Sequence, residues 1–235
     1  MCRMIGFVGP WSPSLDLVFN AFRAGSQCDP YVKAAFPGCT GHPHGWGFAV
    51  YDGQSLHHYR SSLPVWQDQA PLPDLNGQRV CALFHSRLAS NPALDSPLCS
   101  HPFIASTDRE VLVFAHNGGI SMDERLSGVM VDSEWALGEI VRRGGLNEAL
   151  PALQERTTSA LNLIVLVIPR DKKRQATLQC LNFYKPKEQP KKGYYAMFTA
   201  DYAGGKLFLS STFKDGLIPG LRAIKEAEFG KLFCL

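Results

Sequence analysis

Residues 2–9 read CRMIGFVG, and this short stretch decides most of what the sequence predicts. The apolar run between Cys2 and the Gly9-Pro10 pair is typical of a buried strand. Methionine is normally removed when the second residue is small, so we expect the mature chain to begin at Cys2. Its thiol and its free α-amine, with ordinary pKa values of about 8.5 and about 7.7 to 8.0, would then share one carbon. A neutral amine can take the thiol proton, so a single residue could supply both a nucleophile and its base.

The composition is that of a globular protein with no marked preference for a charged partner. Hydrophobic residues make up 45% of the 235 positions and charged residues 19%, as in ordinary folded chains. The net charge of +3 is too small to indicate nucleic acid or a membrane surface as a partner. Seven irregularly spaced cysteines without a C-x-x-C pair indicate neither a zinc ribbon nor a thioredoxin-type site, and they favour a reducing cytosol.

Targeting and membrane segments are not expected. The apolar stretch MIGFV is short, is broken by Gly9, Pro10 and Pro13, and lacks a signal-peptide cleavage pattern. The chain also has no run of about 18 apolar residues, the length that a spanning helix needs. We therefore expect a cytoplasmic protein with one domain over residues 2–235.

Local patterns predict an α+β fold with two sheets. Helical spacing of apolar residues predicts helices over 14–26, 132–145 and 146–157, and Pro151 can break or restart the last of these. Strands are predicted over 2–9, 45–53, 55–61, 79–89, 110–120, 160–168, 176–184, 194–200 and 206–211. The basic segments PRDKKRQ (169–175) and KPKEQPKKG (185–193) are predicted to be solvated hairpin turns.

Polar residues gather at the predicted strand ends, where functional sites are usually built. FHSRLAS contains His85 and Arg87, SHPF contains His101, FAHNGG contains His116 and Asn117, and VDSE contains Asp132. Each has a structural alternative when taken singly. Arg87 could form a salt bridge, Asn117-Gly118 a β-turn, and Asp132 a helix N-cap.

An N-terminal cysteine nucleophile would need the groups that these segments offer. Asn117 and the Gly118 N–H could stabilise the anion of a tetrahedral intermediate. Arg87 and Asp132 carry the charges that the α-carboxylate and the α-ammonium of an amino acid require. Another cluster, CTGHPHG with His42 and His44, could be a metal site or a set of solvent-facing loop histidines, and we favour the second.

In this order, MCRMIGFVG, HSRLAS, SHPF, HNGG and VDSE resemble the motifs of the class II glutamine amidotransferase domain, an N-terminal nucleophile hydrolase. The resemblance covers residues 2–140 by motif. It implies a four-layer αββα sandwich with two mainly antiparallel sheets, and neither metal nor cofactor. The chain is most similar to the small stand-alone branch of the family, which includes YafJ-like and EgtC-like proteins.

The resemblance also implies a role for each matching residue. Cys2 matches the nucleophile, and Asn117 with Gly118 matches the oxyanion hole. Arg87 matches the group that binds the substrate α-carboxylate, and Asp132 the group that binds its ammonium. Pocket-lining positions for substrate binding fall on Ser90 and His101, and Gly47 matches a glycine that packs near the nucleophile. The departures are Ser100 in place of the usual Asn, Val131 in place of the usual Ser, and a short stretch between Asn117 and Asp132.

Three functions remain open at this point. The first is a stand-alone hydrolase of γ-glutamyl amide bonds, acting on glutamine or γ-glutamyl compounds. The second is a glutaminase subunit that passes ammonia to a separate protein partner. The third is a catalytically silent scaffold or regulatory domain.

Overall fold

The computed structural model describes residues 2–12, 14–75, 77–91, 94, 96–126 and 128–235. Met1, whose removal the sequence predicts, lies outside the described residues. The helices are α1 (Ser14–Gln27), α2 (Pro30–Ala35), α3 (Asp132–Arg143), α4 (Leu146–Arg156) and α5 (Lys191–Tyr195). The strands are β1 (Cys2–Pro10), β2 (Trp46–Tyr51), β3 (Leu56–Ser61), β4 (Arg79–Arg87), β5 (Phe103–Ser106), β6 (Glu110–Ile120), β7 (Thr157–Pro169), β8 (Thr177–Leu181), β9 (Met197–Tyr202), β10 (Gly205–Ser210), β11 (Arg222–Glu226) and β12 (Leu232–Cys234).

The described strands form two antiparallel sheets. The larger sheet has the order β11-β9-β10-β1-β4-β2-β3, and the smaller has the order β12-β8-β7-β6-β5. β1 therefore lies in the middle of the larger sheet, paired with β10 on one side and β4 on the other. None of the helices in the described ranges is long and apolar enough to cross a membrane.

Three apolar layers hold the sheets and helices together. Alternate residues of β1 point to opposite faces, so Ile5 and Phe7 pack with α1, whereas Met4 and Val8 pack against the smaller sheet. The outer face of the smaller sheet is covered by α3 and α4. Because both faces of the central strands are buried, β1 and β7 are apolar in long runs rather than in alternation. The predicted αββα sandwich is confirmed.

The structure confirms the hairpin prediction for one of the two basic segments and contradicts it for the other. Residues 169–175 join the paired strands β7 and β8, so the predicted hairpin turn is confirmed. The prediction for residues 185–193 is wrong, because β8 and β9 belong to different sheets. This segment is a crossover, and it leads into α5, whose Tyr194 and Tyr195 are buried. The periodicity also missed α2, β5, β11 and β12, which are short.

Candidate active site

Cys2 is the first residue of β1, which is the central strand of the larger sheet. Its side chain is 5% exposed. In the β1–β4 register it lies directly opposite Arg87, and His85 lies opposite Met4. Directly opposite residues of antiparallel strands point to the same face, and so do residues two apart. Cys2, Arg87 and His85 therefore share the face that meets the smaller sheet.

Asn117 of β6 connects the smaller sheet to the start of β1. The backbone nitrogen of Cys2 donates a 2.8 Å hydrogen bond to the Asn117 Oδ1. Asn117 is fully buried, and its Nδ2 has no hydrogen-bond partner in the described part of the chain. A buried donor without a partner is costly, so an acceptor supplied by a substrate is the expected compensation.

Gly118 is required by its backbone conformation. Its φ is +155°, and a Cβ at this position would lie 1.8 Å from the Ala160 carbonyl oxygen of β7. Asn117 and Gly118 also lie within β6, paired with Asn162 and Leu161, so the alternative of a β-turn is wrong. Gly47 of β2 is similarly confined, because a Cβ there would lie 2.3 Å from the His101 carbonyl oxygen.

Arg87 and Asp132 line the same cavity as Cys2, although Arg87 ends β4 of the larger sheet and Asp132 begins helix α3. The cavity has a volume of about 400 Å³ and is also lined by Ser90, His101 and Gly118. Arg87 Nη1 donates to the Leu94 carbonyl oxygen at 3.1 Å. Its neighbour across the cavity, Asp132, accepts at Oδ2 from the Ile120 N–H at 2.9 Å.

The helix-capping alternative for Asp132 is wrong. Val131 is the N-cap of α3, and Asp132 is the first residue inside the helix. Its carboxylate instead bonds the end of β6, which fixes it beside the cavity. A carboxylate in the first turn also interacts favourably with the helix dipole.

Three buried histidines lie next to this cavity. The rings of His85 and His101 are 3.9 Å apart, and His85 Nε2 lies 3.2 Å from the His116 carbonyl oxygen. His116 Nδ1 lies 2.9 Å from Ser133 Oγ. Both ring nitrogens of His101 lack partners among the described residues. Burial, followed by the charges of His85 and His116, holds the pKa of His101 well below its ordinary value.

The surroundings of Cys2 favour its thiolate. Burial alone raises the pKa of the thiol, but the positive amino terminus and the charge and hydrogen bond of His85 outweigh burial. The pKa falls to about 6. By contrast, burial raises the pKa of Cys81 to about 11. Thiolate is the nucleophilic form of cysteine, so Cys2 is the more reactive of these two thiols.

A buried ionic network lies directly behind the candidate nucleophile. Arg3 Nε bonds Asp29 Oδ2 at 2.5 Å, and His42 Nε2 lies 2.9 Å from the same oxygen. The Arg3 guanidinium also lies 4.0 Å from the centre of the Tyr194 ring. The Tyr194 hydroxyl donates to the Cys2 carbonyl oxygen at 3.1 Å, so this network reaches the nucleophile through α5.

The expectation of solvent-facing histidines is wrong for His42. It is fully buried and paired with Asp29 because the 41–44 loop folds back over the end of α1, where the His42 N–H bonds the Ser26 carbonyl oxygen. In the described part of the chain, no three or more His, Cys, Asp or Glu side chains gather as they would around a metal ion.

The structure thus brings the predicted site residues Cys2, Arg87, Asn117, Gly118 and Asp132 together, with Ser90 and His101 on the cavity wall. Their chemical roles stay predictions. Sequence reasoning missed Tyr194 and the network behind it, and it gave no role to His85. Its place in the site could have been inferred from the sequence, because a residue two positions before Arg87 on the same strand points to the same face.

The two stacked antiparallel sheets, flanked by helices, give the chain a fold of the N-terminal nucleophile hydrolase type. Among solved structures, glutamine phosphoribosylpyrophosphate amidotransferase from B. subtilis, complexed with ADP and GMP, is similar with a TM-score of 0.67 and 15% identity, covering 99% of this chain and 47% of that one. A structure described as the allosteric regulatory enzyme of purine biosynthesis is similar with a TM-score of 0.64 and 15% identity, covering 99% and 46%. A predicted glutamine amidotransferase from Pseudomonas aeruginosa PA01 has a TM-score of 0.45 and 13% identity, covering 100% and 93%.

The chain therefore spans about half the length of the first two proteins. At 15% identity the likeness shows the fold. No protein-family model and no curated protein matches the sequence.

Proposed function

We propose that this chain is a hydrolase of γ-glutamyl amide bonds that uses Cys2 as its nucleophile. The observation that carries the proposal is the pairing of Cys2 N with Asn117 Oδ1, which leaves the buried Asn117 Nδ2 unpaired beside the nucleophile. A carbonyl oxygen that becomes negative during the reaction is the acceptor that this donor lacks.

The charges on the cavity wall fit the glutamyl end of such a substrate. The Arg87 guanidinium can bind the α-carboxylate with two parallel hydrogen bonds, and Asp132 can bind the α-ammonium. Both line the cavity that contains Cys2, so the substrate's scissile carbonyl would point toward the sulfur. A cavity of about 400 Å³ is within the size range of small-molecule sites.

The reaction follows from these positions in two stages. The Cys2 thiolate attacks the δ-carbonyl carbon, and the oxyanion is stabilised by Asn117 Nδ2 and the Gly118 N–H. The C–N bond then breaks, the leaving nitrogen takes a proton, and a γ-glutamyl thioester remains on Cys2. Water attacks the thioester, the C–S bond breaks, and glutamate leaves.

One observation favours the second candidate, a glutaminase subunit with an ammonia-accepting partner. Two of the similar solved chains are about twice as long as this one, and the first of them is named an amidotransferase. A separate protein could supply to this chain what the other half supplies in those. This candidate uses the same site and differs in the fate of the released ammonia.

The experiment measures glutamate release by the purified chain, whose intact mass shows that it begins at Cys2. Glutamine, glutathione and a γ-glutamyl anilide are the substrates, and isoglutamine, with its amide at the α-carboxyl, is the matched control. We expect release from at least one γ-glutamyl substrate and none from isoglutamine. The absence of release from every substrate would favour the silent scaffold, whereas release only after a partner is added would favour the subunit.

A further inference from the structure

We propose that the His85 imidazole accepts the proton of the Cys2 thiol and later returns it to the leaving nitrogen. His85 is thus a catalytic residue in addition to the Cys2 α-amine, which the sequence suggests as the base. The catalytic part of this inference rests on the proposed function. The thiolate–imidazolium pair itself does not, because the proposed proton transfer that forms it precedes substrate binding.

Strand register places the ring next to the sulfur. His85 is two residues before Arg87 on β4, and Arg87 lies opposite Cys2, so His85 is the diagonal neighbour of Cys2 on the same face. Diagonal neighbours across a strand pair are within reach of long side chains. His85 is fully buried, and its charge and side chain are among the causes that lower the pKa of the Cys2 thiol.

The hydrogen bonds of His85 assign its tautomer. Nε2 lies 3.2 Å from the His116 carbonyl oxygen, which can only accept, so the neutral ring holds its proton at Nε2. Nδ1 then has a free lone pair. It is buried and pairs with no nitrogen or oxygen donor in the described part of the chain. The proton that Cys2 loses can therefore bind at Nδ1.

The charged and titratable groups around the pair come from every neighbouring element. β4 supplies Arg87, the segment before β5 supplies the stacked ring of His101, and β6 supplies His116. Asp132 of α3 acts on His116, and Tyr194 and Tyr195 of α5 are close enough to Cys2 for its charge to act on them. The amino terminus and His85 itself lower the pKa of the Cys2 thiol to about 6.

The proton moves in four balanced steps. The Sγ–H bond of Cys2 breaks, its electron pair stays on sulfur, and an N–H bond forms at His85 Nδ1. After the thiolate attacks, the C–N bond of the tetrahedral intermediate breaks and His85 gives this proton to the leaving nitrogen. Neutral His85 then takes a proton from the attacking water as its oxygen bonds the thioester carbon. The C–S bond breaks, and the sulfur leaves as the thiolate of the original pair.

The test measures alkylation of Cys2 by iodoacetamide as a function of pH, by mass spectrometry of the N-terminal fragment. This readout needs no substrate and separates Cys2 from the other cysteines. In the wild-type protein we expect a midpoint near 6, the value to which the amino terminus and His85 lower the pKa of the Cys2 thiol. His85→Gln keeps a donor for the His116 carbonyl oxygen but cannot accept a proton. We expect its midpoint to rise by about one unit or more and its kcat to fall by about 10²- to 10⁴-fold.

His58→Gln is the matched control. His58 Nε2 also lies 2.9 Å from a backbone carbonyl oxygen, that of Pro102, but His58 is on β3 and does not act on Cys2. We expect this variant to keep the wild-type midpoint and kcat.

Two results would overturn the proposal. One is a folded His85→Gln protein whose alkylation midpoint is unchanged and whose kcat is within about threefold of wild type. Such a loss of kcat is far smaller than the usual loss on removal of an acid–base group. The other is a wild-type midpoint near that of an ordinary thiol, about 8.5, which needs no variant to fold. A low wild-type midpoint that rises in His85→Gln, in a protein that turns over no γ-glutamyl substrate, would support the pair and refute the proposed function.

Discussion

Asn117 uses the two ends of one amide for two purposes. Its Oδ1 accepts from Cys2 N and so positions the first residue of β1, while its Nδ2 has no partner among the described residues and is the donor of the proposed oxyanion hole. Aspartate has the same shape and keeps an accepting oxygen, but it cannot donate. Asparagine is therefore the side chain that fits both purposes at this position.

We predict that Asn117→Ala lowers kcat by about 10²- to 10³-fold, the usual loss of one oxyanion donor. Asn117→Asp retains the acceptor for Cys2 N, so we expect it to fold and yet to lose at least as much activity, because it places a negative charge beside the oxyanion. Steady-state kinetics with thermal melts would check both variants. A kcat loss below about tenfold in either folded variant would remove Asn117 from this role.

At this scale the sequence predicted the residues that line the cavity better than those that contact the backbone of Cys2. Cys2, Arg87 and Asp132 were found because their charge and chemistry fit one reaction. Tyr194 was missed because it lies 192 residues from Cys2 and acts through a hydroxyl on a backbone carbonyl, which no local pattern reveals.

At the scale of the elements, we call the proposed pair that binds the glutamyl α-carboxylate and α-ammonium, Arg87 and Asp132, the glutamyl clamp. The clamp depends on the end of β4 and the start of α3 lying at the same cavity. Arg87 ends β4, and Asp132 begins α3 and is fixed by the end of β6. Charges of opposite sign are thus held in one cavity by two separate parts of the sandwich. A single helix or strand could not place them so.

We predict that Asp132→Asn lowers kcat/KM for γ-glutamyl substrates by about 2 kcal/mol, or about 30-fold, because a hydrogen bond to a charged group is lost. Asn still accepts from the Ile120 N–H, so the fold is retained. Glu134→Gln is the matched control, since it removes an exposed carboxylate from the same helical turn. A normal kcat/KM in Asp132→Asn would contradict the clamp.

The crossover helix α5 gives a second prediction at this scale. Tyr194→Phe removes the hydroxyl that donates to the Cys2 carbonyl oxygen. Because this bond positions Cys2 and does not touch the substrate, we expect kcat to fall by about tenfold with KM nearly unchanged. The matched control is Tyr195→Phe, whose hydroxyl is paired with Ser159. Equal effects in the two variants would assign Tyr194 a purely structural role.

Charge alone misled the interpretation of residues 185–193. Their lysines predicted a solvated hairpin tip, but the sheet to which a strand belongs is decided by long-range pairing. β9 pairs with β10, whereas β8 pairs with β7, so the connection must cross between the layers. Helix α3, in contrast, has its acidic first turn and its basic last turn within one local segment, and it was predicted correctly.

On the scale of the whole molecule, the network of Arg3, Asp29 and His42 ties the amino-terminal strand to the α1–β2 region. Burial lowers the pKa of His42 to about 4, despite its hydrogen bond to Asp29. An unfolded histidine has a pKa of about 6.5. Between these values the unfolded state binds a proton that the folded state does not, so stability falls as the pH falls.

We predict that His42 accounts for a loss of roughly 3 kcal/mol in the free energy of unfolding between about pH 7 and pH 4. His42→Gln should be less stable at neutral pH but should lose less on acidification, because glutamine does not titrate. Urea unfolding of both proteins at the two pH values would show this. Identical losses in the two proteins would show that His42 does not carry the effect.

The layered architecture could be predicted from the sequence because the apolar runs are long and the motifs occur in a recognisable order. Long apolar runs such as residues 160–168 indicate strands covered on both faces, and the motif order around Cys2 indicates the sandwich. The short edge strands β11 and β12 were missed, since five consecutive exposed residues in β11 carry no apolar pattern at all.

The central claim is that Cys2 is the nucleophile of a glutamyl site. The most direct measurement treats the protein with a glutamine analogue that carries an electrophilic carbon next to its side-chain carbonyl, and locates the label by mass spectrometry. We expect one label per chain, on a fragment that begins at Cys2, with activity lost in proportion and with no label on Cys2→Ala. Full activity in completely labelled protein, or inactivation by a label on another cysteine while Cys2 stays free, would contradict the account.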